Sequence, residues 1–153
     1  MRSFIILTAL LSLLPVLCRP QPAPVPHDSA TVARMYDFIQ DWWRTKYRYG
    51  GTGRRGIDCS AFTRVMYDSV YGKSLPRTAS LQYSSTRRVS KSELMPGDLV
   101  FFRYRPRGGT SGWHVGVYIT AGFFVHSSVA TGVFVNNLAE PKYVRIYYSA
   151  GRP

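Results

Sequence analysis

The chain has 153 residues, 45% of them hydrophobic and 14% aromatic. That is enough for one folded domain with one core, and too apolar for a disordered chain. Twenty Lys and Arg against eight Asp and Glu leave a formal charge of +12, which favours an anionic partner: nucleic acid, anionic lipid, or an acidic polymer such as cell wall. The basic residues (Arg54-Arg55, Arg87-Arg88, Arg103, Arg105, Arg107, Lys142, Arg145) are scattered and form no helix stripe of the kind a DNA reader presents.

Met1-Arg2 gives a short positive start, and Phe4 to Leu17 is almost wholly apolar. Residues 1–18 therefore read as a signal peptide, too short for a membrane span. Export removes most intracellular nucleic-acid roles, so no nucleic-acid partner is expected. Cys18, directly after the apolar run, admits two readings: acylation of its sulfur, which anchors the protein to a membrane, or plain cleavage nearby without lipid. A Cys18–Cys59 disulfide is a third, and it would silence the second thiol. Residues 19–27 carry proline at every second position (Pro20, Pro22, Pro24, Pro26) and read as a semi-rigid extended tether that includes a solvated His27. The folded domain is placed at 28–153.

Asp28 or Ser29 caps a first helix running to about Trp43, with Val32, Met35, Tyr36 and Ile39 on one face. The Gly-rich stretch Gly50-Gly51-Thr52-Gly53, ending at Gly56, lacks the Lys-Ser/Thr of a phosphate loop and reads as a backbone bend. Asp58 is the natural N-cap of a second helix, Cys59 to Tyr71, with Phe62, Val65, Met66 and Val70 buried and Gly72 as its stop. Leu75 to Thr86 is a polar, partly helical connection. Glu93 to Asp98 is turn chemistry leading into a strand, Leu99 to Phe102. Arg103 to Gly112 reads as a basic hairpin loop. Strands follow at Trp113 to Ile119, Phe123 to Ser128 and Val133 to Asn136, with turns at Ala121-Gly122 and Thr131-Gly132. Helices first and then a small antiparallel meander make an α+β domain.

Cys59 is the only cysteine outside the first eighteen residues. A thiol at the first turn of a helix, with imidazoles supplied by later strands, is what a cysteine nucleophile needs. The helix N-terminus and an adjacent imidazolium both stabilise the reactive thiolate. Period two puts His114, Gly116 and Tyr118 on one face of their strand, and Phe124 and His126 share a face of the next. If the two strands pair, both histidines look toward the start of the Cys59 helix. His114 then takes the thiol proton and returns it to the leaving amine, while His126 bonds the far nitrogen of His114 and fixes its tautomer. Taken singly, each histidine reads better as an ordinary partly buried ring; it is the three residues together that point to catalysis. One Cys and two His are also credible zinc ligands, but a closed site wants a fourth, and Asp98 suits a turn better. No metal or cofactor is expected. The Cys59 backbone N–H, at a helix start, is a candidate oxyanion donor.

The segments Tyr47-Arg48-Tyr49-Gly50-Gly51, Gly56-Ile57-Asp58-Cys59-Ser60, Leu75-Pro76-Arg77-Thr78, Leu94 to Phe102, His114-Val115-Gly116-Val117-Tyr118 and Phe124-Val125-His126-Ser127-Ser128 together resemble, in order, the NlpC-type cell-wall cysteine peptidases. The resemblance implies a papain-like NlpC-type fold, with N-terminal helices packed on a small antiparallel sheet, and hydrolysis of peptide bonds in peptidoglycan. By motif position Cys59 matches the nucleophile, His114 the base and His126 the polar third member. Tyr47 matches the tyrosine that lines the cleft and helps stabilise the oxyanion; a packing aromatic is its other reading. Ser60 and Arg77 are candidate substrate contacts, and Asp58 reads as a cap. Three departures stand out: Ala61 where the family usually has glycine, Leu17 before Cys18, and the basic 103–112 loop. The small single-domain envelope members, lipoproteins among them, are the ones it resembles. These imply a monomer in the bacterial envelope or periplasm, acting as a D,D-endopeptidase on cross-links. Cleavage of stem peptides after γ-D-glutamate, a non-catalytic wall-binding or envelope-assembly module, and a secreted toxin-like amidase are the alternatives.

Overall fold

A computed structural model describes residues 28–104 and 112–153. The export segment, Cys18, the tether and most of the basic 103–112 stretch lie outside the described residues. In chain order the elements are α1 (Ser29–Trp42), β1 (Thr52–Gly53), β2 (Gly56–Ile57), α2 (Cys59–Tyr71), α3 (Ala79–Ser85), β3 (Arg87–Val89), a 3-10 turn (Lys91–Glu93), β4 (Leu99–Tyr104), β5 (Gly112–Thr120), β6 (Phe123–Ser128), β7 (Gly132–Asn137), α4 (Pro141–Ile146) and β8 (Tyr147–Arg152). The fold is α+β, as expected. Its main sheet is antiparallel with six strands in the order β3-β8-β4-β5-β6-β7, and β1 and β2 form a separate small hairpin.

Asp28, not Ser29, caps α1: its Oδ1 accepts the Thr31 N–H at 2.7 Å. Met35, Ile39 and Trp42 bury against α2, whereas Tyr36 is 43% exposed and lies off the core face where the periodicity had placed it. Asp58 caps α2 through the Ala61 N–H at 2.8 Å, and Gly72 ends it in the left-handed conformation at φ 61°. Phe62 and Met66 are fully buried, each worth about 1.5–3 kcal/mol of apolar burial.

Both faces of the sheet are covered. One packs Leu99, Phe101, Val115, Val117, Val125 and Val133 against α1 and α2. The other packs Val100, Phe102 and Phe124 under α4 with Leu138, Tyr143 and Ala150. This explains the unbroken apolar run Leu99 to Phe102: a strand buried on both sides has no polar face to show.

The elements from β8 and α4 were not foreseen. α4 is a single six-residue stretch opened by Pro141 at its first turn. β8, Tyr-Tyr-Ser-Ala-Gly-Arg, lacks alternation, yet it inserts between β3 and β4. Its far end is held by Arg152, which donates to both oxygens of the fully buried Asp98 at 2.7 and 2.8 Å. Asp98 also accepts the Met95 N–H at 2.8 Å, so it completes a turn and an ion pair.

Candidate active site

Cys59 opens α2 and carries a free, buried thiol. Helix α2 packs on the Val115 face of the sheet, opposite to the face that holds His114 and His126. The expectation that both rings simply face the helix start is therefore corrected. Cys59 instead lies near the end of the β5–β6 pairing. Pairing of β5 with β6 runs from Thr120↔Phe123 to Val117↔Val125 and stops there. Beyond it, the Val115 N–H is directed at the Cys59 sulfur. The thiol thus sits against the backbone of the residue next to His114. Among the described residues no hydrogen bond joins the sulfur to the His114 ring, whose Nε2 bonds to His126 instead.

His114 Nε2 lies 2.6 Å from His126 Nδ1, with the two rings edge to face. His126 Nε2 is 2.9 Å from Asn136 Oδ1 and 3.2 Å from the Tyr143 hydroxyl, which also donates to Asn136 Oδ1 at 3.2 Å. Asn136 Nδ2 donates to both oxygens of Glu140 at 3.1 Å. Sequence reasoning found the two histidines and missed the three residues behind them. Only the pairing Phe124↔Asn136 brings Asn136 to the side of His126.

Gly116 makes the ring contact fit. A Cβ there would lie 2.7 Å from the Phe124 ring, 2.8 Å from the Val125 oxygen and 3.2 Å from the His126 Cβ.

Burial dominates the electrostatics. It pushes the Cys59 thiol up to about 11, opposed by the Val115 N–H and reinforced by the nearby Asp58 charge. Burial likewise drives His114 well below 6.5, with His126 and Lys142 adding repulsion. His126 falls to about 4 through burial, partly offset by its bond to Asn136. Burial thus works against charge on all three groups, and against the thiolate that the helix start favours.

Tyr47, bridged to Ile57 beside the hairpin, lines the same cleft as Cys59. Burial and the neighbouring Cys59 and Asp58 raise its pKa to about 12, so its hydroxyl keeps its proton. Arg77 donates to Asp58 at 2.6 and 3.1 Å and to Ser60 Oγ at 3.1 Å, while Ser60 Oγ donates to Asp58 at 3.0 Å. Burial acts to raise the Asp58 pKa, but the Arg77 and Ala61 hydrogen bonds outweigh it and hold it below the ordinary value. Asp58 is thus both cap and counter-ion. The cleft over Cys59 has a volume of about 390 Å³, and Tyr49, Tyr104 and Trp113 also line it. Among the described residues no group of three or more His, Cys, Asp or Glu converges to hold a metal.

The model of the NlpC/P60 family matches residues 44–152. The probable endopeptidase NlpC of Escherichia coli K12 is 40% identical over 140 residues, covering 88% of this chain and 90% of that one. The murein DD-endopeptidase MepS/murein LD-carboxypeptidase of the same strain is 39% identical over 120 residues, covering 78% of this chain and 62% of its own. The crystal structure of an NlpC/P60 family protein from Bacillus cereus superposes with a TM-score of 0.70 at 30% identity, over 84% of this chain and 41% of that one.

Proposed function

The chain belongs to the NlpC/P60 family of cysteine peptidases, and we propose that it is a murein endopeptidase in which Cys59 attacks a peptide cross-link with His114 as base. The observation that carries this reading is the placement of the Cys59 sulfur at the Val115 amide, one residue from a His114 ring already bonded to His126. Burial favours the neutral forms of both groups, which makes general-base attack the first step of this reading. His114 Nδ1 takes the thiol proton as the sulfur adds to the scissile carbonyl. The Cys59 N–H and the Tyr47 hydroxyl are the donors available to the oxyanion. His114 then protonates the leaving amine, giving a thioester, and deprotonates the water that hydrolyses it. Arg77 and Ser60 line the cleft and are the contacts this reading assigns to a carboxylate of the substrate, in exchange for part of their bonding to Asp58.

A D,D-endopeptidase activity is supported by the likeness to the murein DD-endopeptidase MepS/murein LD-carboxypeptidase. Action on murein requires export, to which residues 1–18 are suited, and acylation of Cys18 would hold the enzyme at a membrane. The test is digestion of purified peptidoglycan by the full chain beside Cys59→Ala, with products read by mass spectrometry. Cross-linked dimers should fall to monomers with the wild type alone. Shortened stems would transfer the activity to the γ-D-glutamyl bond, and equal cleavage by the folded Cys59→Ala variant would remove the thiol from the mechanism.

A further inference from the structure

Behind the two histidines lies a chain of hydrogen bonds whose donor and acceptor roles can be assigned from one end. We propose that Glu140 is a positioning residue: acting through Asn136 and His126, it fixes the proton of His114 on Nε2 and leaves Nδ1 open to the Cys59 thiol. The inference rests on the thiol–imidazole reading given above.

The assignment starts at the carboxylate, which offers acceptors only. Glu140 takes the Asn137 N–H at 2.7 Å and faces the Asn136 amide at 3.1 Å from both oxygens. The Asn136 group turned toward it must therefore be Nδ2, and Oδ1 must be turned toward His126. An amide oxygen is also an acceptor only, so His126 Nε2, 2.9 Å away, carries a proton. A neutral imidazole has one proton, and both rings are kept neutral by burial. His126 Nδ1 is then a lone pair, and the 2.6 Å contact requires His114 Nε2 to donate to it. The single proton of His114 is thereby placed on Nε2, and Nδ1 is the basic nitrogen. The Tyr143 hydroxyl, 3.2 Å from both His126 Nε2 and Asn136 Oδ1, can donate or accept. It supports the chain without setting its direction. Glu140 is the only member that cannot be reversed.

Replacing Glu140 with a group that only donates should invert every bond. In Glu140→Lys the Asn136 oxygen turns to the ammonium and its nitrogen to His126. His126 then donates from Nδ1, and His114 holds its proton on Nδ1, where the base is needed. Glu140→Gln should not invert the chain, because the Asn137 and Asn136 N–H groups both demand its oxygen.

The experiment reads the ring-nitrogen tautomers of His114 and His126 in the 15N-labelled full chain by NMR, alongside murein hydrolysis and thermal unfolding. Wild type and Glu140→Gln should show Nε2–H on both rings, with kcat/KM within about tenfold of each other. Glu140→Lys should show Nδ1–H on both, with kcat/KM lowered on the order of a hundredfold or more, the scale of a lost general base. Glu140→Ala frees Asn136 to turn either way and should give mixed tautomers; it carries the test if the lysine variant does not fold. Unchanged tautomers in folded Glu140→Lys and Glu140→Ala would overturn the proposal, whether or not activity fell. Inverted tautomers with full activity would uphold the relay and instead overturn the role of His114 as base.

Discussion

Replacing Asp58 with alanine removes, in one step, the acceptor of the Ala61 N–H, of Ser60 Oγ and of both Arg77 nitrogens. Loss of the α2 cap costs about 1 kcal/mol. The Arg77 pair is discounted, because that side chain is 35% exposed, and contributes about 1 kcal/mol more. The expected loss is about 2 kcal/mol, or roughly 6–8 °C in Tm for a domain of this size. Circular dichroism melts at pH 7 measure it. The sign of its pH dependence follows from the carboxylate. Its folded pKa lies below the ordinary 3.8, so its stabilisation is complete above that value and is lost as pH falls through the folded one. The gap between wild type and variant should therefore narrow toward pH 3. Asp58→Asn keeps a capping oxygen and gives up the charge, so it should show a smaller deficit with little pH dependence. Hydrolysis should fall further than stability in Asp58→Ala, because Cys59 is the first residue of the helix that frays. A Tm within 2 °C of wild type, or a gap that stays constant from pH 7 to pH 3, would refute the assignment of Asp58 as cap and counter-ion.

Iodoacetamide should alkylate Cys59 slowly at neutral pH, with the rate rising toward a midpoint near pH 11. About one part in ten thousand of such a thiol is ionised at pH 7, and a rate plateau reaching below pH 5 would instead reveal a resting ion pair. Gly116→Ala forces the Phe124 ring and the β6 backbone apart, because its Cβ would sit 2.7 and 2.8 Å from them. A loss of about 1–3 kcal/mol is expected in denaturant melts, with a broadened or shifted His126 signal; an unperturbed His126 would mean that the strands part elsewhere.

The α2 helix was legible because its signals agree: Asp58 before it, Gly72 after it, and Phe62, Met66 and Val70 at helical spacing between. The strands carrying His114 and His126 were legible by alternation, and so was the bond between their rings. The route by which sulfur and imidazole meet was not. What the structure shows is the sulfur at the Val115 amide, near where β5 and β6 stop pairing, and no side-chain period records that. Asn136 and Glu140 read as ordinary strand-end and turn polar residues until register sets them behind His126. The thiol's raised pKa was hidden because the helix start argues for a thiolate while enclosure argues against it, and only the packed structure says which is larger. β8 escaped because Ala150 and Gly151 carry no period-two signal; they are small where Gly151 lies against Thr86.

That late strand has a consequence for how the molecule is made. The strands β4 to β7 are sequence neighbours and can zip as a meander, closing short loops. β8 must instead reach back past all of them to slot between β3 and β4, a pairing of long sequence separation that forms slowly. Until it arrives, Leu99-Val100-Phe101-Phe102 is an open edge of uninterrupted apolar residues, the kind of edge that recruits other chains. Aggregation during refolding should therefore track the docking of residues 147–152, and the ion pair of Arg152 with the buried Asp98 is the latch that ends the exposure.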